Sequence, residues 1–185
     1  MLYILPTNTC FGIACPISEI ENYKKIFEIK KRDFRKPIAI LVSDFNYFIE
    51  NTKLNFEQIN FLKNYNNPFT ILIDKEKILD KSLLEIINNL PNSEIYSKIA
   101  FRVAHNFMHK KLIRLNGLLF LTSANISNNP ELFDTISIKK EFGDIIEKEE
   151  IKVLAHGDFC INSEKKSSDI FEFEGENEEV VYFRK

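Results

Sequence analysis

Leu118-Leu119-Phe120-Leu121-Thr122-Ser123-Ala124-Asn125-Ile126-Ser127 is an apolar run that breaks off into hydroxyl and amide side chains. A short, continuous apolar run reads as a strand buried on both faces. Polar groups at its carboxyl end stand where open α/β sheets bind ligands. Alone, Thr-Ser-x-Asn is equally an Asx turn or a helix N-cap. Its weight comes from recurrence: Leu5-Pro6-Thr7-Asn8-Thr9-Cys10-Phe11-Gly12 is a second polar strand end of the same kind.

Working outward, further β-rich runs fall at 2–5, 38–42, 69–73, 99–103, 152–154, 169–173 and 180–183. Between them lie segments of helical period. Ile20, Tyr23, Ile26 and Phe27 space a helix over 20–29, with Ser18 and Glu21 as its expected capping box. Other helices are expected at 55–65, at 81–90 before Pro91, and at 105–115 before Gly117. The Asn-rich spots at 64–67 and 128–130 read as loops, and the acidic stretch 172–179 as a solvated turn. Strands alternating with helices define an α/β chain. At 185 residues with no linker or repeat, it is expected to form one domain over 1–185.

The net charge of −2 favours neither a nucleic-acid nor a membrane partner, and no run of about 18 apolar residues predicts a spanning helix. Three sparse cysteines, Cys10, Cys15 and Cys160, suit a reducing cytoplasm better than a disulfide framework. None of the five glycines sits in a phosphate-cradling loop, so any phosphate must be held by side chains. Ile29-Lys30-Lys31-Arg32-Asp33-Phe34-Arg35-Lys36-Pro37 packs five cations into seven residues and could do so. A solvated basic helix end fits these residue types as well. Arg102, inside an apolar strand, needs an anion, either a protein carboxylate or a ligand. His105 and His109 are spaced i, i+4 without a third ligand and read as a solvated helix face rather than a metal site.

Together these stretches resemble the YrdC/Sua5 family, whose bacterial members are L-threonylcarbamoyladenylate synthases. The family's Pro-Thr-acidic-Thr and aromatic-Gly pattern is matched by Pro6-Thr7-Asn8-Thr9-Cys10-Phe11-Gly12, and its Lys-x-Arg by Lys30, Arg32, Lys36 and Pro37. Pro68-Phe69-Thr70, Ala100-Phe101-Arg102, Thr122–Ser127, Ser168-Asp169-Ile170 and Arg184 follow in the family's order. Asn8 stands for the acidic residue, Phe11 for the usual Tyr, Asn128 for a Gly and Lys98 for a small hydroxyl residue. The chain looks like the short YrdC type, without the helix that usually precedes the first motif and without the further C-terminal domain of Sua5.

The resemblance implies a single YrdC-like domain with a twisted mixed sheet, flanking helices and a concave ligand cleft. It implies that L-threonine, bicarbonate and ATP yield threonylcarbamoyl-AMP and pyrophosphate, for N6-threonylcarbamoylation of adenosine 37 in tRNA. Mg2+ is implied with the triphosphate. By the same resemblance Lys30 and Arg32 are catalytic, and Lys30, Arg32, Lys36, Ser123, Asn125 and Arg184 hold ATP. Thr7, Thr9, Arg102 and Ser168 surround threonine, Arg102 taking its carboxylate. tRNA or a downstream threonylcarbamoyl-transfer protein are the implied partners. The alternatives are a catalytically weak RNA-binding module and a carbamoyl-transfer unit like that of hydrogenase maturation proteins.

Overall fold

Nine strands form one mixed sheet in the order β7-β1-β2-β6-β3-β5-β4-β8-β9. The computed structural model describes residues 1–155, 157, 159–161, 167–174 and 179–184. The strands are β1 (Tyr3–Pro6), β2 (Phe11–Pro16), β3 (Ala39–Val42), β4 (Phe69–Asp74), β5 (Lys98–Val103), β6 (Leu119–Ser123), β7 (Lys152–Val153), β8 (Asp169–Glu174) and β9 (Glu179–Arg184). The α-helices are α1 (Ile20–Lys30), α2 (Asn46–Asn51), α3 (Phe56–Asn64), α4 (Lys81–Asn88), α5 (Phe107–Asn116) and α6 (Thr135–Lys148). β3–β5, β4–β8 and β1–β7 pair in parallel and the other neighbours antiparallel, so the expected mixed sheet is what forms.

Alternation along the strands divides the apolar residues between two faces. Ile4, Ile13, Ile40, Phe101, Phe120 and Phe171 join one core with Tyr23, Ile26 and Phe27 of α1 and Ile138 and Phe142 of α6. Tyr3, Leu5, Ala14, Leu41, Leu119 and Leu121 form the second core, under Leu112 and Ile113 of α5. The second core does not extend over β4 and β8, and there the same face carries polar side chains. Thr70, Arg102, Ser168 and Glu172 stand on it.

Several elements depart from expectation. β2 was hidden because its apolar residues run straight on from the polar turn and contain Gly12, leaving no punctuation between turn and strand. α2 is too short to carry an apolar period, and α6 was passed over although Ile138, Phe142, Ile145 and Ile146 recur at helical spacing. α6 is started by Asp134, whose carboxylate accepts from Ser137 N at 2.7 Å and Ser137 Oγ at 2.8 Å. The Ser18–Glu21 capping box does not form: the N-cap is Glu19, which moves Ser18 one residue outside the helix. Glu19 instead receives the Asn22 amide and the N-terminal ammonium of Met1. Glu172 is not in a solvated turn but buried in β8, where Lys98 Nζ lies 2.6 Å from its carboxylate. Residues 175–178 of that stretch fall outside the described residues.

Candidate active site

The turn joining β1 to β2 is organised around one hydroxyl. Thr7 Oγ1 donates to Cys10 O at 2.7 Å and accepts from Thr9 N at 3.1 Å and Cys10 N at 3.3 Å. Its only proton is on Cys10 O and its lone pairs take the two backbone N–H groups, so the Thr9 hydroxyl, 3.0 Å away, turns its proton to Cys10 Sγ at 3.8 Å. Thr7 therefore sets the shape of the turn, and Thr9 keeps only lone pairs to offer a ligand. At the apex, Asn8 Oδ1 accepts from Arg102 Nη2 at 3.0 Å. β1 and β5 are four strand spacings apart, about 19 Å in a flat sheet. The turn beyond β1 and the long side chain from β5 nevertheless meet across this face.

Arg102 has no carboxylate within ion-pair distance among the described residues. The structural ion pair that sequence left open is not what holds it. Burial depresses its pKa, the Arg184 charge adds to this, and the nearby Cys10 and Glu131 act the other way. Its guanidinium lines a cavity of about 760 Å³ over the end of β5 and the starts of β4 and β8, together with Asn8, His105, Phe69, Ser167 and Asp169. Ser168, buried between the last two, accepts from Arg184 Nη2 at 3.1 Å and lies 3.4 Å from Thr70 Oγ1, while its carbonyl takes Arg184 Nε at 2.8 Å. Asp169 is held by Tyr65 O–H at 2.7 Å and Asn67 Nδ2 at 3.1 Å.

The second group of residues forms at the ends of β6 and α1. Lys30 is not on a solvated helix end: it is 1% exposed. Its ammonium donates to Ser123 O, to Asn125 O at 2.6 Å and to Asn125 Oδ1 at 3.1 Å, which accounts for all three protons. Ser123 Oγ donates to the same Oδ1 at 2.6 Å, Asn125 Nδ2 reaches Asn129 O at 2.6 Å, and Ser127 N returns to Lys30 O at 2.8 Å. Burial, with the Arg32 charge behind it, pulls Lys30 down to about 8. Contact with a phosphate would require Lys30 to exchange one of these oxygens for it. Arg32 braces the following loop, donating to Lys36 O and Pro37 O, each at 3.0 Å, and leaves the Lys36 ammonium exposed.

The two groups meet at Cys10, whose thiol feels both Arg102 and Lys30. Burial pushes that thiol up to about 11, so it is no thiolate nucleophile at neutral pH. Of the residues named from sequence, Arg102 lines the cavity; Thr7 and Thr9 flank Asn8 beside it, and Ser168 lies between two lining residues. Lys30, Ser123 and Asn125 cluster with one another and, like Arg32, Lys36 and Arg184, lie outside its lining. Sequence reasoning passed over Asn8 as a partner for Arg102, gave Asp169 no role beyond its place in a motif, and passed over Glu131 altogether. Pro130 followed by a carboxylate was the available signal for Glu131, lost in an Asn-rich loop.

His109 also differs from expectation. It is 1% exposed and its Nε2–H donates to Pro6 O at 3.1 Å, so Nδ1 is a buried lone pair without a partner. The exposed His105 packs edge-on against it at 4.6 Å. Burial first, then the His105 and Arg102 charges, push His109 down to about 4 from 6.5, against the bond to Pro6. The unfolded chain binds this proton before the folded one does, so stability falls as pH drops from 6.5 towards 4. The loss attributable to His109 is about 3 kcal/mol. Urea unfolding across that range should show a steeper acid loss for the natural chain than for His109→Gln, whose amide can still donate to Pro6. Equal slopes would contradict it.

A family model described as telomere recombination, for the Sua5, YciO and YrdC proteins, matches residues 1–184. The chain belongs to the Sua5/YciO/YrdC family. Among curated relatives, threonylcarbamoyl-AMP synthase of Buchnera aphidicola from Acyrthosiphon pisum is 28% identical over 148 residues, 75% of this chain and 77% of that protein. Its namesake from the Schizaphis graminum strain is 27% identical over 143 residues, 75% of this chain and 70% of that protein. Among solved structures, the H234A/Y235A form of P. abyssi Sua5 superposes with a TM-score of 0.75 at 20% identity, over 99% of this chain and 49% of the other. P. abyssi Sua5 complexed with L-threonine gives 0.70 at 21% identity, over 92% of this chain and 46% of the other. The chain thus spans about half the length of those Sua5 structures, and the likeness to them is one of fold. No described helix is long and apolar enough to cross a membrane.

Proposed function

We propose that this chain is an L-threonylcarbamoyladenylate synthase, a nucleotidyltransferase that joins L-threonine, bicarbonate and ATP into threonylcarbamoyl-AMP and pyrophosphate. The observation that carries the reading is Arg102, which lines a cavity with a neutral partner and no counterion among the described residues. The names of the two curated relatives and the threonine complex of P. abyssi Sua5 support it.

In this reading Arg102 takes the threonine carboxylate, beside the turn of Thr7 and Thr9 and the Ser168 hydroxyl. The amine captures the bicarbonate carbon as a carbamate, with loss of water. A carbamate oxygen then attacks the α-phosphorus of ATP, the bond to the bridging oxygen breaks, and pyrophosphate leaves. No covalent enzyme intermediate is needed, so positioning and charge stabilisation carry the chemistry. Arg32, Lys36 and Arg184 supply positive charge for the phosphates. Lys30 holds the Ser123–Asn125 loop against the nucleotide. Mg2+ would arrive on the triphosphate, since it needs only one or two protein oxygens; no group of three His, Cys, Asp or Glu among the described residues is placed to hold a metal. The product is an activated carbamoyl donor for modification of adenosine 37 in tRNA.

Pyrophosphate release by the pure protein with ATP, bicarbonate and Mg2+ should depend on L-threonine. Release that is the same without threonine, or absent with it, would sink the reading.

A further inference from the structure

We propose that Glu131 is a substrate-binding residue: its carboxylate receives the α-ammonium of the amino acid whose carboxylate Arg102 holds, so that the pair selects a zwitterion. The inference rests on the amino-acid reading of the cavity given above.

Glu131 lies on the loop between β6 and α6, and that loop is fastened to the site at several points. Asn129 O accepts from Asn125 Nδ2 at 2.6 Å, and Leu132 O accepts from Phe11 N at 2.8 Å. Ser167 Oγ, which belongs to a residue of the cavity wall, donates to Glu131 Oε1 at 2.8 Å. One oxygen of the carboxylate is thereby fixed. The other has no hydrogen-bond partner among the described residues and is not among the buried atoms left without one, so it is open to solvent.

The charges around it are arranged as opposites held apart. Glu131 acts on Arg102, Lys30 and Cys10, yet neither cation lies within ion-pair distance of it among the described residues. Lys30 is already occupied by three oxygens, and Arg102 by the neutral Asn8. A direct Glu131–Arg102 pair would cancel both charges; kept apart, each lacks the partner that an α-amino acid carries. Asp169 lines the cavity itself, whereas Glu131 reaches its wall through Ser167, but Asp169 Oδ2 already accepts from Tyr65 and Asn67. Its pairing with Phe69 also points it to the face opposite Arg102.

Glu131→Gln keeps an oxygen for Ser167 and removes only the charge. Calorimetric titration of the full chain would compare L-threonine with 3-hydroxybutanoate, the same molecule without its amino group. The substitution should weaken L-threonine by about tenfold or more and change 3-hydroxybutanoate by less than about twofold. Equal losses for both ligands, or no loss for threonine, would overturn the role of Glu131 while leaving the amino-acid reading in place. A natural chain that binds neither ligand would overturn that reading, and this inference with it.

Discussion

Replacing Arg102 with methionine should cut kcat/KM for L-threonine by about 10²- to 10³-fold while leaving the protein at least as stable as before. The two halves of this result have one cause. A charge-assisted bond to a carboxylate in a partly desolvated site is worth about 2–5 kcal/mol, and each 1.4 kcal/mol is about a factor of ten. Without ligand, the same guanidinium is desolvated for a single 3.0 Å bond to a neutral amide. A half-buried cation with no counterion among the described residues is a cost to the fold, and an apolar side chain of similar length removes it. Asn8, on the cavity wall, can turn to water instead. Thermal unfolding and steady-state kinetics on the same preparation test both halves. A variant that loses activity and unfolds several degrees earlier would show that Arg102 is a structural residue.

Lys30→Met should do the reverse and strike the fold. Lys30 is 1% exposed, and its loss leaves Ser123 O, Asn125 O and Asn125 Oδ1 without their shared donor. Breaking a buried charged group away from its partners costs about 3–5 kcal/mol. For a chain of this size that lowers Tm by about 10 °C. Among the described residues, the hydrogen bond then left between the end of α1 and the loop after β6 is that from Ser127 N to Lys30 O. A Lys30→Met protein that melts normally but no longer binds ATP would identify Lys30 as a phosphate ligand rather than a clamp.

The contrast between these two cations marks what sequence could reveal. Both look alike in the chain, one in a basic run and one in an apolar strand. Strand alternation and the apolar environment demanded an anion for Arg102; among the described residues its partner is the neutral Asn8, and the anion is left to the proposed substrate. No local pattern shows that the basic run lends its first lysine to the interior, because the oxygens that surround Lys30 lie more than ninety residues away. The mixed α/β class was legible from runs such as Leu118–Thr122, which are buried on both faces. β2 was not, because turn and strand share one apolar stretch. The bond from Arg102 to Asn8 was equally hidden, since it joins residues 94 apart in sequence, the second on a turn between strands that are not neighbours of β5 in the sheet. Glu131 and His109 were missed for a related reason. Each reads as surface from its neighbours and finds its partner only when a distant residue, Ser167 or Pro6, folds against it.

The central claim is that this cleft makes an activated carbamate of threonine on AMP. Incubation with ¹³C-bicarbonate, L-threonine, ATP and Mg2+, quenched quickly and analysed by mass spectrometry, tests it most directly. The account predicts an AMP adduct that carries both threonine and the labelled carbon, formed together with pyrophosphate. An AMP adduct of threonine without the label, or no adduct from a folded protein that binds both substrates, would contradict it.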